Sequence, residues 1–145
     1  MIKTEKEYLE SKIRLDAEFK ELDAHAEKMK KSGLTPEQIK LALDPLASFA
    51  LQLKEEVEEY EKLKRGQFDI LENFNGIGRM LVALRIFKGL KQKELAEKLD
   101  VTEAQVSRDE RNEYHGASIE KIQKVLDALG VTLKSAIETD YKDAV

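Results

Sequence analysis

Few side chains in this sequence are equipped for chemistry, and none is grouped for catalysis. Cysteine is absent from the 145 residues, and the two histidines, His25 and His115, stand far apart. With no thiolate and no cluster at ligand spacing, the sequence predicts no metal site. Gly76-Ile77-Gly78 is a bare GxG ahead of a helix and not after a strand, which is poor evidence for a nucleotide. These residues predict a chain that is not an enzyme and carries no cofactor.

The informative stretch is Gly89–Asn112, GLKQKELAEKLDVTEAQVSRDERN. It holds two short helical segments separated by Asp100 and Val101. Leu90, Leu95, Ala96 and Leu99 fall on one face of the first. The second opens with Thr102, a good N-cap, and has Val106 to bury. Two helices joined at a steep angle by a short turn form a helix-turn-helix, which offers its second helix to the major groove of DNA.

The rest of the chain must position these two helices. Residues 4–31 read as one long helix, with Leu15, Phe19, Leu22, Ala26 and Met29 at the spacing of a coiled-coil seam. Tyr8 lies one heptad earlier, and Lys12 interrupts the seam. Five positions are short of the three or four sustained heptads that a coiled coil usually needs, so packing on a neighbouring helix is the plainer reading. Ser32-Gly33 ends this helix. Thr35 caps the next, with Pro36 at its first position and Gln38 closing a capping box. Pro45, after Asp44, is expected to open a third helix that carries Leu46, Phe49, Leu53, Val57, Tyr60 and Leu63. Glu55, Glu56, Glu58, Glu59 and Glu61 are assigned to its solvated face. The first and third helices pair as an antiparallel hairpin.

Arg65-Gly66 marks a domain boundary, and residues 67–75 form a connector with Phe68, Ile70, Leu71 and Phe74 to pack. Asn75 is the expected N-cap of a helix to about Phe87, with Ile77, Leu81 and Leu84 facing inward. Beyond Asn112 come a loop over Glu113–Ala117 and a helix capped by Ser118. Ile119, Ile122, Val125, Leu126 and Leu129 make its core face, and Gly130 ends it. Thr132 to about Glu138 is read as a last short helix and 139–145 as a frayed tail. The fold class is all-α: a hairpin of about three helices over 1–66, the 67–75 connector, and a five-helix domain over 76–138.

Composition sets outer limits. Hydrophobic residues make up 41% of the chain, enough for a core, and no run of eighteen apolar residues could span a membrane. MIKTEKEYLE lacks the apolar segment of a signal peptide, and the reading is of a cytoplasmic, nucleoid-associated protein of a bacterium or phage. A formal net charge of −4 is unusual for a nucleic-acid binder. Over Gly76–Gly116 eight basic residues stand against seven acidic, a balance of +1. One such module should bind DNA weakly, and a homodimer reading two half-sites about 34 Å apart is the natural remedy. The N-terminal hairpin is the candidate dimer interface.

Residues 77–137 resemble the Xre family of helix-turn-helix domains, typified by lambdoid phage repressors and Cro proteins. The resemblance rests on LRIFKGLKQKELAEKLDVTEAQVSRDERN followed by SIEKIQKVLDALGVTL. It implies a five-helix domain, a double-stranded DNA partner and a role as transcriptional regulator, most simply a repressor. The first half is similar in architecture to the helical regions of some HigA-type antitoxins. That implies an alternative, an antitoxin that holds a protein toxin and represses its own operon; a helical scaffold without DNA binding is the third reading.

By position, the resemblance makes Thr102, Glu103, Ala104, Gln105 and Arg108 the groove-facing residues. Arg108 can pair with a guanine, Gln105 with an adenine, and Glu103 with a cytosine amino group, while Ala104 can touch a thymine methyl. Gln92 is assigned to a DNA phosphate together with the backbone N–H groups of its helix end, and Lys91 and Lys93 add charge there. Ser107 points sideways or toward a phosphate, and His115 either touches phosphate or pairs with Asp109. Arg85 and Glu110 match an ion pair that is buried in some family members. Two residues depart from the pattern. Lys91 replaces the usual capping Ser or Thr, implying a weaker helix start. Asp109 stands where an apolar residue is common, and is expected to accept hydrogen bonds from the Tyr114–Ala117 loop.

Overall fold

The computed structural model describes residues 1–139, which form six helices and no strand. The expected tail of 139–145 lies, but for its first residue, outside the described residues. Helices α1 (Glu5–Lys31) and α2 (Pro36–Lys64) make a long antiparallel hairpin. Helices α3 (Ile77–Phe87), α4 (Gln92–Leu99), α5 (Glu103–Arg111) and α6 (Ile119–Leu129) make a cluster at its base.

Both hairpin helices start on reciprocal caps. The Thr4 hydroxyl accepts from the Glu7 N–H at 3.2 Å, while the Glu7 carboxylate accepts from the Thr4 N–H at 3.3 Å. Thr35 and Gln38 repeat the arrangement at 3.3 and 2.9 Å. Between them Gly33, at φ +86°, turns the chain.

The expected break at Pro45 does not occur: α2 runs unbroken through it, so the hairpin has two helices and not three. An internal proline costs a helix about 3 kcal/mol. Here Leu43, Ala50 and Val57, seven residues apart and all buried, keep one face of α2 on α1 on both sides of Pro45. Continuous packing outweighs the local penalty. The opposing residues Leu15, Leu22, Ala26 and Met29 of α1 are only half-buried, because two helices alone cannot enclose a seam.

At the base of the hairpin Tyr8 stacks on Tyr60, ring centres 4.8 Å apart. Tyr60 donates to Glu5 at 3.0 Å, Lys64 donates to Glu5 at 2.7 Å, and Tyr8 donates to Glu61 at 2.7 Å. The Lys64 ammonium, with help from the Tyr60 hydroxyl and against some desolvation, holds the Glu5 carboxyl below its ordinary value. The acidic run of α2 is therefore not one solvated face. Glu61 points to α1, and Glu59 accepts from Arg79 of α3 at 3.1 Å.

α3 is the hub of the second half, with every residue from Leu81 to Ile86 buried. Asn75 does not cap it. The N-cap is Gly76 at φ +78°, and the Asn75 N–H is used in a turn to the Glu72 carbonyl. α6 ends at Gly130, φ +63°, with the Val131 N–H returning to the Leu126 carbonyl at 3.1 Å. The helix expected over 132–138 is absent, leaving four helices here and not five. Leu133 and Ile137 are 46% and 92% exposed, so no buried face repays the ordering of another helix. One core joins Leu81, Val82, Leu95, Val106, Val125 and Leu129 to Val57 and Tyr60 of the hairpin.

Candidate nucleic-acid interface

α4 ends at Asp100, which takes the left-handed conformation at φ +55°, and the Val101 N–H turns back to the Ala96 carbonyl at 3.0 Å. Thr102 then starts α5, its hydroxyl accepting from the Gln105 N–H at 3.2 Å. Leu95 and Ala96 of α4 and Val106 of α5 are buried together, and this fixes the pair as one unit. The lost cap at Lys91 has a replacement. The Glu94 carboxylate accepts from the Lys91 N–H at 2.7 Å, half of a capping box, so α4 starts more firmly than expected.

Of the five residues expected to face the groove, Thr102, Glu103, Ala104 and Arg108 are exposed and Gln105 is half-buried. Gln105 is engaged within its own helix, donating to Asp109 at 3.0 Å and accepting from Arg108 at 3.4 Å. Asp109 differs from expectation: its carboxylate does not reach the Tyr114–Ala117 loop. It holds Gln105 on one side and, at 2.8 Å, Lys121 of α6 on the other. The loop is closed by backbone, the Tyr114 N–H donating to the Asp109 carbonyl at 2.8 Å. His115 is exposed, and Asp109 is committed elsewhere, so the two do not pair.

Among the residues assigned to phosphate, Lys91 and Lys93 are exposed and Ser107 is half-buried. Gln92 turns its amide inward, donating to Glu110 at 2.7 Å.

Behind this surface lies the ion pair. Arg85 and Glu110 are 3% and 0% exposed. The guanidinium grips both carboxylate oxygens, the second at 2.8 Å. Its remaining donors reach the Leu90 carbonyl at 2.8 Å and the Lys3 carbonyl at 2.7 Å. Gln92 completes the shell of Glu110. No buried side-chain polar atom among the described residues lacks a partner.

Sequence reasoning missed the N-terminal segment. Ile2 is 5% exposed and belongs to the core, and the Lys3 ammonium donates to the Glu110 carbonyl at 2.9 Å. A lone isoleucine ahead of a capped helix was the only available signal. Gly78, which the sequence reading gave no role, has a structural one. A Cβ there would lie 1.8 Å from the Glu113 carbonyl oxygen, so its lack of a side chain serves the close approach of α3 to the Glu113–Tyr114 turn.

Residues 81–134 match the model of the helix-turn-helix family. They are a helix-turn-helix domain. The match begins inside α3 and ends at Lys134, five residues beyond the end of α6. No curated protein and no solved structure matched the chain. The helix-turn-helix is thus fixed independently of the hairpin, which the family model does not cover. No helix among the described residues is long and apolar enough to cross a membrane.

Proposed function

We propose that the chain is a sequence-specific regulator of transcription, a repressor, that binds operator half-sites as a homodimer with α5 in the major groove. The observation that carries this reading is the support of α5. A fully satisfied buried pair, Arg85–Glu110, fixes the helix from behind while Glu103, Ala104 and Arg108 stand exposed in front. Arg108 is assigned to a guanine, Gln105 to an adenine, Glu103 to a cytosine amino group and Ala104 to a thymine methyl. Lys91, Lys93, Ser107, His115 and the start of α4 at Gln92 are assigned to phosphates.

The second copy is assigned to the hairpin. Besides the face packed on α1, α2 carries Ala42, Leu46, Phe49 and Leu53 at steps of four, three and four, and Leu46 and Phe49 are 50% and 46% exposed. A second apolar stripe at coiled-coil spacing suits a like stripe. The same stripe would serve the antitoxin reading if its occupant were a toxin.

The test is selection of bound sequences from random double-stranded DNA, with Arg108→Ala beside the wild type and sedimentation of the wild type and Phe49→Glu. The proposal expects a two-fold symmetric site, loss of preference at one base pair per half-site in Arg108→Ala, and a dimer that Phe49→Glu converts to monomer. An unaltered site preference in Arg108→Ala removes that residue from reading. A wild-type monomer at working concentrations leaves the hairpin for a different protein.

A further inference from the structure

We infer that Lys3, which lies outside the matched helix-turn-helix, is a positioning residue for DNA binding, clamping α5 and the start of α4 to the base of the hairpin. The inference rests on the reading that this domain binds DNA, and extends it to the first residues of the chain.

Lys3 is held from one side and holds on the other. Its N–H donates to the Glu7 carboxylate of α1 at 2.9 Å, and Ile2 beside it is buried in the domain core. Its carbonyl accepts from Arg85 at 2.7 Å, and its ammonium donates to the Glu110 carbonyl at 2.9 Å. The Glu110 carbonyl belongs to the last turn of α5, where carbonyls have no partner within the helix and where a positive charge is favoured. That oxygen also receives the Glu113 N–H at 3.0 Å, so Lys3 braces the end of the recognition helix and the turn that follows.

The clamp reaches the DNA face. Glu7 holds Lys3, Lys3 holds both members of the Arg85–Glu110 pair, and Glu110 holds the amide of Gln92 at the first position of α4. α5 and the start of α4 therefore share one anchor on α1. Losing one arm of it should leave the domain folded, because the Arg85–Glu110 pair remains, but let α5 tilt. A tilt of the reading helix lowers affinity at every contact together, since groove contacts demand close registry.

A direct phosphate contact by the Lys3 ammonium would also lower affinity, but with a different signature. Each neutralised phosphate contributes close to one unit to the slope of log K against log salt, and a positioning residue contributes none.

The experiment measures, on the full chain, binding to the selected operator over a range of salt for wild type, Lys3→Met and Lys3→Arg, together with amide exchange at Glu113 and Tyr114. Lys3→Met should bind roughly tenfold more weakly with an unchanged salt slope and exchange those amides roughly tenfold faster. Lys3→Arg, which keeps a donor for the carbonyl, should restore both to within about twofold. A slope lowered by about one in Lys3→Met would overturn the proposal in favour of direct phosphate contact. Affinity within twofold of wild type with unchanged exchange would also overturn it. Failure of the wild type to bind DNA at any salt would overturn the DNA reading and with it this role for Lys3, while the exchange data would still report whether the clamp exists.

Discussion

Replacing Arg85 by Met should be among the most damaging single changes available in this chain, and adding Glu110→Leu should repair much of the loss. Arg85 donates four hydrogen bonds, two to Glu110 and one each to the carbonyls of Leu90 and Lys3. Without it, a carboxylate with no exposure keeps one side-chain donor, Gln92. Stranding a buried charge in this way costs roughly 3–5 kcal/mol. Near this chain length each kcal/mol lowers the melting temperature by about 2–4 °C, so the loss should be on the order of 10 °C. The double variant removes the stranded charge and fills the space with hydrocarbon. What stays unpaired are the Leu90 and Lys3 carbonyls and the Gln92 amide, all at partly exposed positions that water can reach, at a cost of about 1–3 kcal/mol. The double variant should then lie about 2 kcal/mol above Arg85→Met. Glu110→Leu alone should fall between them, because Arg85 keeps two carbonyl acceptors while Glu110 in the opposite single variant keeps one amide. The assay is guanidinium unfolding followed by helical circular dichroism, with midpoints compared at a common slope. Equal losses in Arg85→Met and the double variant would refute the account, since the damage would then come from shape and not from an uncompensated charge.

Gly78→Ala should destabilise by about 3 kcal/mol or more, because the new methyl meets backbone at Glu113 and not a side chain that can swing aside; a melting temperature within 2 °C of wild type, by the conversion above, would refute it. Burial first, then Glu5 for Tyr60 and Glu110 for Tyr114, holds both phenols above the ordinary tyrosine value. A raised value in the folded state means their contribution is intact below about pH 10, where unfolded tyrosine begins to ionise, and is lost as pH rises further. Alkaline unfolding should follow, and Tyr114→Phe should move its midpoint to higher pH. Tyrosinate absorbance appearing for all four tyrosines near pH 10 before any loss of helix would contradict this.

The sequence made the helix-turn-helix legible because its signals are local. Thr102, Val106 and the Leu95–Ala96 pair each declare a cap or a buried face within one helical turn. The capping box at Thr35 was readable for the same reason, and the Arg85–Glu110 pair by resemblance, whereas the box at Thr4 was not read. The errors came where a distant partner overrode a local preference. Pro45 reads as a helix start, yet the long seam with α1 carries α2 through it. Thr132–Glu138 has helical composition but finds no surface to bury against. Asp109 was sent to the nearest loop in sequence, whereas Lys121, twelve residues on, offers a full charge at 2.8 Å. Lys3 was invisible since its partners, Arg85 and Glu110, lie 82 and 107 residues away. No periodicity encodes such a contact.

That same Asp109 bears on how a nearly neutral module could read DNA at all. Its carboxylate, placed on the recognition helix, would repel phosphate if unpaired; Lys121 neutralises it, Gln105 donates to it at 3.0 Å, and Arg108 donates in turn to Gln105 at 3.4 Å. On the proposed reading these two base-facing side chains are already ordered before DNA arrives. Ordering a long side chain at an interface costs about 0.5–1.5 kcal/mol, so preorganisation recovers part of what weak electrostatics withholds. Glu103 works in the opposite direction. A carboxylate in the major groove is tolerated opposite a cytosine amino group and penalised opposite the acceptor edges of guanine or thymine. It therefore lowers affinity for most sequences more than for the right one, which is how discrimination is gained by repulsion. On the proposed reading, a helix-turn-helix with this face should bind nonspecific DNA poorly and its operator selectively, with the contacts doubled by a second copy.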